Sequence, residues 1–295
     1  MQWRIIIISK SDCLLLKIMN YICNKMEDQK YIDLKKMIAS KNPKLLKWLP
    51  GFILNYLIRI IHQEEINDFL QRNNHLQNID FCIQVVKEFE IDVDFFGLEN
   101  IPKDGKIVLA SNHPLGGMDA MALVAGLKGH REDIKFVVND LLLNLVSLRG
   151  IFLGINKHGR NGATMKEQLH ELFSSDQCIC IFPAGLVSRK IDGQVIDLEW
   201  KKSFIPLSKE YNRTIVPVFI DGKLSNFFYR LSNFRSKIGI KANIEMLYLS
   251  NEMYKLRKKS LKITIGQPIL ASELPKDKSD KALAQYIKDI VYKLK

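Results

Sequence analysis

No run of apolar residues in this chain of 295 reaches the length of about 18 that a membrane-spanning helix requires. A spanning anchor is therefore not expected. The opening residues from Trp3 to Ile8 are apolar, but Lys10, Asp12 and Lys17 interrupt them and no small-residue cleavage site follows. That pattern argues against a secretory leader. An ordinary helical pattern starts only at Met26, which leaves open whether residues 1–25 belong to the natural protein. Cysteine is scarce: the chain has five, an odd number, which argues against a disulfide-stapled scaffold. Cys178 and Cys180 sit in an apolar run with no second pair and no nearby His, and read as buried strand thiols rather than zinc ligands. His113, His130, His158 and His170 show no ligand-like spacing with Cys or Glu, so no metal is expected. There is no P-loop, no dinucleotide glycine fingerprint and no G-x-S-x-G elbow around Ser111. No zinc finger or RNA-recognition signature appears either, so nucleic acid is not an expected partner.

Acidic residues are also in deficit. Asp and Glu number 32 against 44 Lys and Arg, a net 44 − 32 = +12. With 47% apolar and 26% charged residues the chain can bury a core, which excludes a disordered class. The excess of cations points to an anionic partner such as a phosphorylated ligand or a negative membrane surface. The denser basic groups lie at 35–47 and 255–262.

Residues 1–90 read as a helical, membrane-interface segment. Within them, 45–62 is nearly continuous in apolar residues, flanked by Lys44, Lys47 and Arg59 and broken at Pro50-Gly51. It suits an interfacial helix with Trp48 and Tyr56 at headgroup level; the alternative is a helix packed on the core. From Ile91 the pattern changes. Short β-rich runs fall at 91–96, 106–110, 134–138, 177–182, 214–220, 244–249 and 261–265, with helical patterns at 119–127, 164–173 and 223–234 between them. Strands alternating with helices predict an α/β domain over 91–270, with a largely parallel central sheet flanked by helices. Residues 271–295 predict an amphipathic helix packing on that domain, with Leu283, Ile287 and Val291 on one stripe.

The most informative stretch follows the run 107–111: Asn112-His113-Pro114-Leu115-Gly116-Gly117-Met118-Asp119. Ligands of open α/β sheets bind at the carboxyl ends of strands, where this turn falls. His113 precedes a proline and is biased toward extended backbone, while Gly116 and Gly117 permit a tight turn. A carboxylate folded back onto the imidazole makes a general base, fixing the tautomer and stabilising the imidazolium. Asp119 as a simple helix N-cap beside a structural His113 accounts for the same residues.

The turn resembles the histidine–aspartate signature of the glycerolipid acyltransferases, the lysophosphatidic acid acyltransferases and their relatives. Gly150-Ile151-Phe152-Leu153 resembles that family's Gly-x-Phe-Ile block, Phe182-Pro183-Ala184-Gly185 its Phe-Pro-Glu-Gly block, and Ile215-Val216-Pro217-Val218 its Val-Pro-Val block. All four stand in order across 110–220. The departures are specific. Five residues separate His113 from Asp119, where the family has four. Ile155 stands where the family has an acceptor-binding arginine, with Lys157, His158 and Arg160 close behind, and Ala184 stands where it has glutamate. The Phe-Pro-Ala-Gly variant with Ser188-Arg189 after it looks like the bacterial branch that makes ornithine or glycine lipids, whose acceptor hydroxyl sits on an amide-linked 3-hydroxyacyl chain.

The resemblance implies acyl transfer from a thioester donor, acyl-CoA or acyl carrier protein, to the hydroxyl of a lysolipid. It implies no other cofactor. His113 is then the base and Asp119 its partner. Backbone N–H groups at Gly116 and Gly117 would face the oxyanion, and Lys157, Arg160, Gly185, Ser188 and Arg189 would hold the acceptor. A guanidinium suits a headgroup carboxylate as well as a phosphate, and both acceptors stay open. The location it implies is the cytoplasmic face of the inner membrane, peripheral or monotopic. The competing readings are a catalytically silent membrane scaffold of the same fold and a lysolipid carrier.

Overall fold

The computed structural model describes residues 31–139, 146–155 and 162–295. In chain order come helices α1 (Leu34–Lys41), α2 (Pro43–Trp48), α3 (Gly51–Ile60), α4 (Gln63–Arg72) and α5 (Asn78–Glu88). Strands β1 (Asp92–Phe96) and β2 (Ile107–Ser111), helix α6 (Gly117–Gly126), strands β3 (Ile134–Asn139) and β4 (Phe152–Ile155), and helix α7 (Gly162–Ser174) follow. Next are strand β5 (Cys178–Ile181), the hairpin β6 (Arg189–Ile191) and β7 (Gln194–Ile196), helix α8 (Phe204–Glu210) and strand β8 (Thr214–Asp221). Helices α9 (Asn226–Lys237) and α10 (Leu249–Tyr254), strands β9 (Ser260–Ile265) and β10 (Ile269–Leu270), and helix α11 (Asp280–Lys293) complete the chain.

Two compact units emerge. The larger joins His75–Leu224 to Met253–Lys295; the smaller joins Ser225–Glu252 to Met1–Asn74, of which 31–74 are described. In the larger unit the sheet order is β1-β9-β8-β2-β5-β3-β4, with β10 also on β8. Strands β8, β2, β5, β3 and β4 run parallel. Every residue of β2 and β5 is buried, as expected of strands covered on both faces. On one face Val108, Ala110, Ile179 and Ile181 share a cluster with Phe173 of α7, Phe204 of α8 and Ile287 of α11. Cys178 and Cys180 are buried strand residues, as their run implied. The charged side chain of Arg213 is fully buried. Arg213 donates to the carbonyls of Leu172 and Phe173 in the last turn of α7, to those of Ser175 and Gln177 beyond it, and to Ile107 of β2. It thus satisfies a helix C-terminus that would otherwise be buried without partners. Burial pushes its pKa down to about 10, which leaves it charged at neutral pH.

The smaller unit packs Ile32, Leu34, Met37, Ile38 and Leu54 together, with Leu45, Leu57 and Ile58 against them. Asn67 holds the chain entry by pairing with both backbone groups of Ile32 at 2.6 and 2.7 Å. Among the described residues no helix is long and apolar enough to cross a membrane.

The sheet is largely parallel, as expected, with β9 and β10 pairing antiparallel to β8 and β1 parallel to β9. Two expectations need correction. The run 244–249 is no strand. It forms a 3₁₀ turn (Ile244–Tyr248) leading into α10, because Glu245 is drawn into a buried ion pair with Arg235 of α9 at 2.8 Å. The run is apolar apart from Glu245, and its Glu, Met and Leu favour helix once no sheet edge takes the segment. Helix α6 starts at Gly117, two residues ahead of the expected Asp119.

Candidate active site

The site grows from the carboxyl end of β2. Asn112, the first residue beyond the strand, donates its amide to the Ile220 carbonyl at 2.9 Å and accepts the Ile220 N–H at 2.7 Å. The side chain extends the β2–β8 pairing by one step and fixes where His113 leaves the sheet. Gly116 then adopts φ 73, ψ −131, open only to glycine. That residue absorbs the extra position between His113 and Asp119. His113 stays in the turn, Asp119 enters the first turn of α6, and the carboxylate folds back.

His113 Nδ1 lies 2.9 Å from Asp119 Oδ2, and the same oxygen accepts the Leu115 N–H at 2.9 Å. Asp119 is therefore not the N-cap, a position held by Gly116. Its side chain is fully buried, and Oδ1 has no hydrogen-bond partner among the described residues. Burial lifts the Asp119 pKa above the usual carboxylate range, although His113 and the Leu115 N–H pull it down. With Nδ1 held by the carboxylate, Nε2 is the ring atom available for proton transfer. The imidazole is 19% exposed and stacks on Phe182 at 4.1 Å between centroids. Phe136 backs Phe182 at 5.7 Å, so strands β3 and β5 brace the ring.

A second carboxylate holds the turn from behind. Buried Asp197 accepts the His113 backbone N–H at 3.2 Å and the Ser188 hydroxyl at 2.6 Å on Oδ1, and the Trp200 indole N–H at 2.9 Å on Oδ2. Ser188 in turn donates its N–H to the His113 carbonyl at 2.8 Å. Helix α11 closes the cluster: the Asp197 N–H donates to Tyr292 Oη at 2.7 Å, and Lys288 donates to the Asp197 carbonyl at 2.7 Å. Burial lowers the Lys288 pKa, while burial and the nearby Asp197 charge raise that of Tyr292.

The other expected residues fall as follows. Gly116 and Gly117 lead into α6, and a Cβ at Gly117 would meet nothing within 4 Å. Gly185 has φ +67 and lies so close to Lys201 that a Cβ there would sit 2.7 Å from its ammonium nitrogen. Ser188 is buried beneath His113. Arg189 is buried too, its guanidinium donating to the Val187 carbonyl at 2.5 Å. Lys157, His158 and Arg160 lie outside the described residues. Sequence reasoning missed Asp197, Trp200, Lys201, Lys288 and Tyr292. One signal was present: Asp192-Gly193 at positive φ is a two-residue hairpin turn, and the hairpin β6–β7 it makes delivers Asp197 to the His113 turn.

A histidine–aspartate pair set in the turn after a central α/β strand defines the class, and the acyltransferase family pattern matches residues 36–295. The chain belongs to this acyltransferase family. It is 41% identical over 276 residues to a lyso-glycine lipid O-acyltransferase of Phocaeicola vulgatus, covering 92% of this chain and 99% of that protein. It is 43% identical over 264 residues to a lyso-glycine lipid O-acyltransferase of Bacteroides thetaiotaomicron, covering 89% and 97%. The crystal structure of the 1-acyl-sn-glycerophosphate (LPA) acyltransferase, PlsC, from Thermotoga maritima aligns at 17% identity and a TM-score of 0.46, over 82% of this chain and 92% of that one.

Proposed function

We propose that this enzyme moves an acyl group from a thioester onto the hydroxyl of a lyso-aminolipid of the glycine-lipid type. The observation that carries the reaction is the 2.9 Å contact between His113 and Asp119. The names of the two relatives support the acceptor. Nε2 of His113 takes the hydroxyl proton as the oxygen attacks the thioester carbonyl. Asp119 holds the tautomer and stabilises the imidazolium. N–H groups at the start of α6, at Gly116 and Gly117, face the developing oxyanion. The intermediate collapses, the C–S bond breaks, and the thiolate leaves with the proton from the imidazolium. The acceptor lies along the turn of Gly185, Ser188 and Arg189, with Lys157 and Arg160 as further cations toward its headgroup. Lys201, set against Gly185, is added to that set.

The enzyme works at the surface of an anionic membrane without spanning it, on the cytoplasmic face. The exposed Trp48 and Phe52 of α2 and α3, with Lys44 and Lys47 beside them, support attachment. The family and the intact pair speak for turnover, against a silent scaffold. The test is a transfer assay with purified enzyme, an acyl thioester and either N-(3-hydroxyacyl)glycine or lysophosphatidate, read by mass spectrometry. The acylated glycine lipid is the expected product. Acylation of lysophosphatidate alone sinks the acceptor assignment and leaves the acyl transfer standing.

A further inference from the structure

Helix α9 buries one face and leaves the other unusually apolar. Phe228, Ser232 and Arg235 point inward, whereas Phe227, Arg230 and Phe234 are exposed at steps of three and four, so they share one face. The turn after the helix exposes Ile238 and Ile240 as well. This turn is braced: buried Arg235 donates to the Ile240 carbonyl at 2.7 Å while paired with Glu245. A buried ion pair is expensive to form, and here it holds two isoleucines out at the surface.

Charge selects the occupant. No acidic residue stands between Asp221 and Glu245, while Arg230, Lys237 and Lys241 are all exposed. The same holds around α2 and α3, where no acidic residue stands between Asp33 and Glu64. The two regions meet within one compact unit. Tyr56 of α3 shares a 2.9 Å hydrogen bond with Tyr248, whose ring sits 4.9 Å from that of Phe227. Aromatic and aliphatic side chains interleaved with cations are the composition of a surface that inserts shallowly into anionic lipid.

We propose that α9 and the turn after it form a second lipid-contact element, so that the membrane face of the smaller unit is built from two stretches of sequence far apart in the chain. This rests on the membrane attachment proposed above, and the experiment separates the two. Full-length protein is sedimented with vesicles of phosphatidylglycerol and phosphatidylcholine, alongside two variants, Phe234→Ser with Ile238→Ser, and Arg230→Glu with Lys237→Glu. All four residues are exposed, so thermal melting should match the parent. The apolar variant is expected to bind about tenfold more weakly. The charge variant should lose binding by about fivefold or more per residue, and only to vesicles containing phosphatidylglycerol. Parent-like binding by both variants overturns the role of α9 while leaving attachment intact. A parent protein that stays in the supernatant overturns both. As a second measurement, an environment-sensitive fluorophore on Phe234→Cys should shift blue when vesicles are added, against a control without the introduced cysteine; no shift with bound protein also overturns the proposal.

Discussion

The backbone N–H of His113 donates to Asp197 Oδ1 at 3.2 Å, which ties the turn after β2 to a residue 84 positions further on. The Asp197 carboxylate has three donors and no spare oxygen facing an acceptor. Asp197→Asn puts an amide N–H₂ opposite either the Trp200 indole or the His113 and Ser188 donors, so at least one donor loses its acceptor. A positioning role predicts that kcat falls by about 10²-fold, as expected for a base displaced by an ångström or so. KM for both substrates should change little. A purely structural role would lower the amount of folded enzyme without changing the kcat of the folded fraction. Active-site titration together with steady-state kinetics distinguishes the two.

Arg213 makes the opposite prediction. Its guanidinium serves five backbone carbonyls and no residue of the His113 turn. Arg213→Met fits the volume roughly but leaves those carbonyls buried without a donor. The loss should be about 3 kcal/mol or more, seen as a lower urea midpoint. The folded fraction should keep parent-like KM values. An unchanged midpoint would mean that water replaces the guanidinium.

The Gly185 turn separates two cations. Lys201 is exposed with its ammonium against Gly185, while the Arg189 guanidinium is buried against the Val187 carbonyl. Lys201→Ala should raise the KM for the acceptor more than that for the donor, with stability unchanged. Arg189→Ala should lower the melting temperature as well as acceptor affinity. Unchanged acceptor kinetics in both variants would remove this turn from headgroup binding.

Much of this site is legible in the sequence. The pre-proline His113, the paired glycines and Asp119 form one local motif, and local motifs survive in sequence. The alternating strands were equally readable: β2, β5 and β8 fall within a residue or so of their apolar runs. Illegible was whatever depends on contacts between distant segments. Nothing in the sequence near Asp197 says that it meets His113, because that meeting needs the hairpin β6–β7 and helix α11 together. The antiparallel turn of β9 likewise depends on which edge of β8 stays open. The run 244–249 misled because a short apolar run does not reveal that Glu245 is claimed by Arg235.

Membrane attachment through an apolar face plus cations has a graded response to salt. Exposed cations near an anionic surface contribute about 1 kcal/mol each and fade beyond a Debye length. In the attachment proposed above, Trp48 and Phe52, 81% and 75% exposed, would add burial in lipid, which salt does not weaken. Washing membranes with high salt should therefore release only part of the enzyme, and Trp48→Ser with Phe52→Ser should make release nearly complete. Full release of the parent by salt alone would leave electrostatics as the sole attachment.

The last prediction tests the pair itself, through activity and stability together. His113→Ala removes the proton acceptor, and turnover should fall by about 10²–10⁴-fold or more. Asp119→Asn keeps the shape and can still accept the Leu115 N–H. It no longer stabilises the imidazolium, so kcat should drop by orders of magnitude with a smaller change in acceptor KM. In the parent, kcat/KM should rise with pH on the acid side, because only neutral imidazole can accept the proton. The stability arm has a definite sign. The folded-state pKa of Asp119 lies above its ordinary value of 3.8, with burial as the largest cause. Folding therefore favours the protonated carboxyl. The stability this group supplies is fully present below 3.8 and is lost as pH rises through the raised value. Asn cannot titrate, so the melting temperature of Asp119→Asn relative to the parent should climb as pH rises from the acid range to neutrality. Buried Asn also carries N–H groups where Oδ1 of Asp119 has no partner, so the absolute offset between the two curves is set by that cost as well. The slope is not. A fully active Asp119→Asn enzyme would sink the paired-base mechanism. Parallel melting curves across that pH range would show that the buried carboxyl is not held above its ordinary pKa.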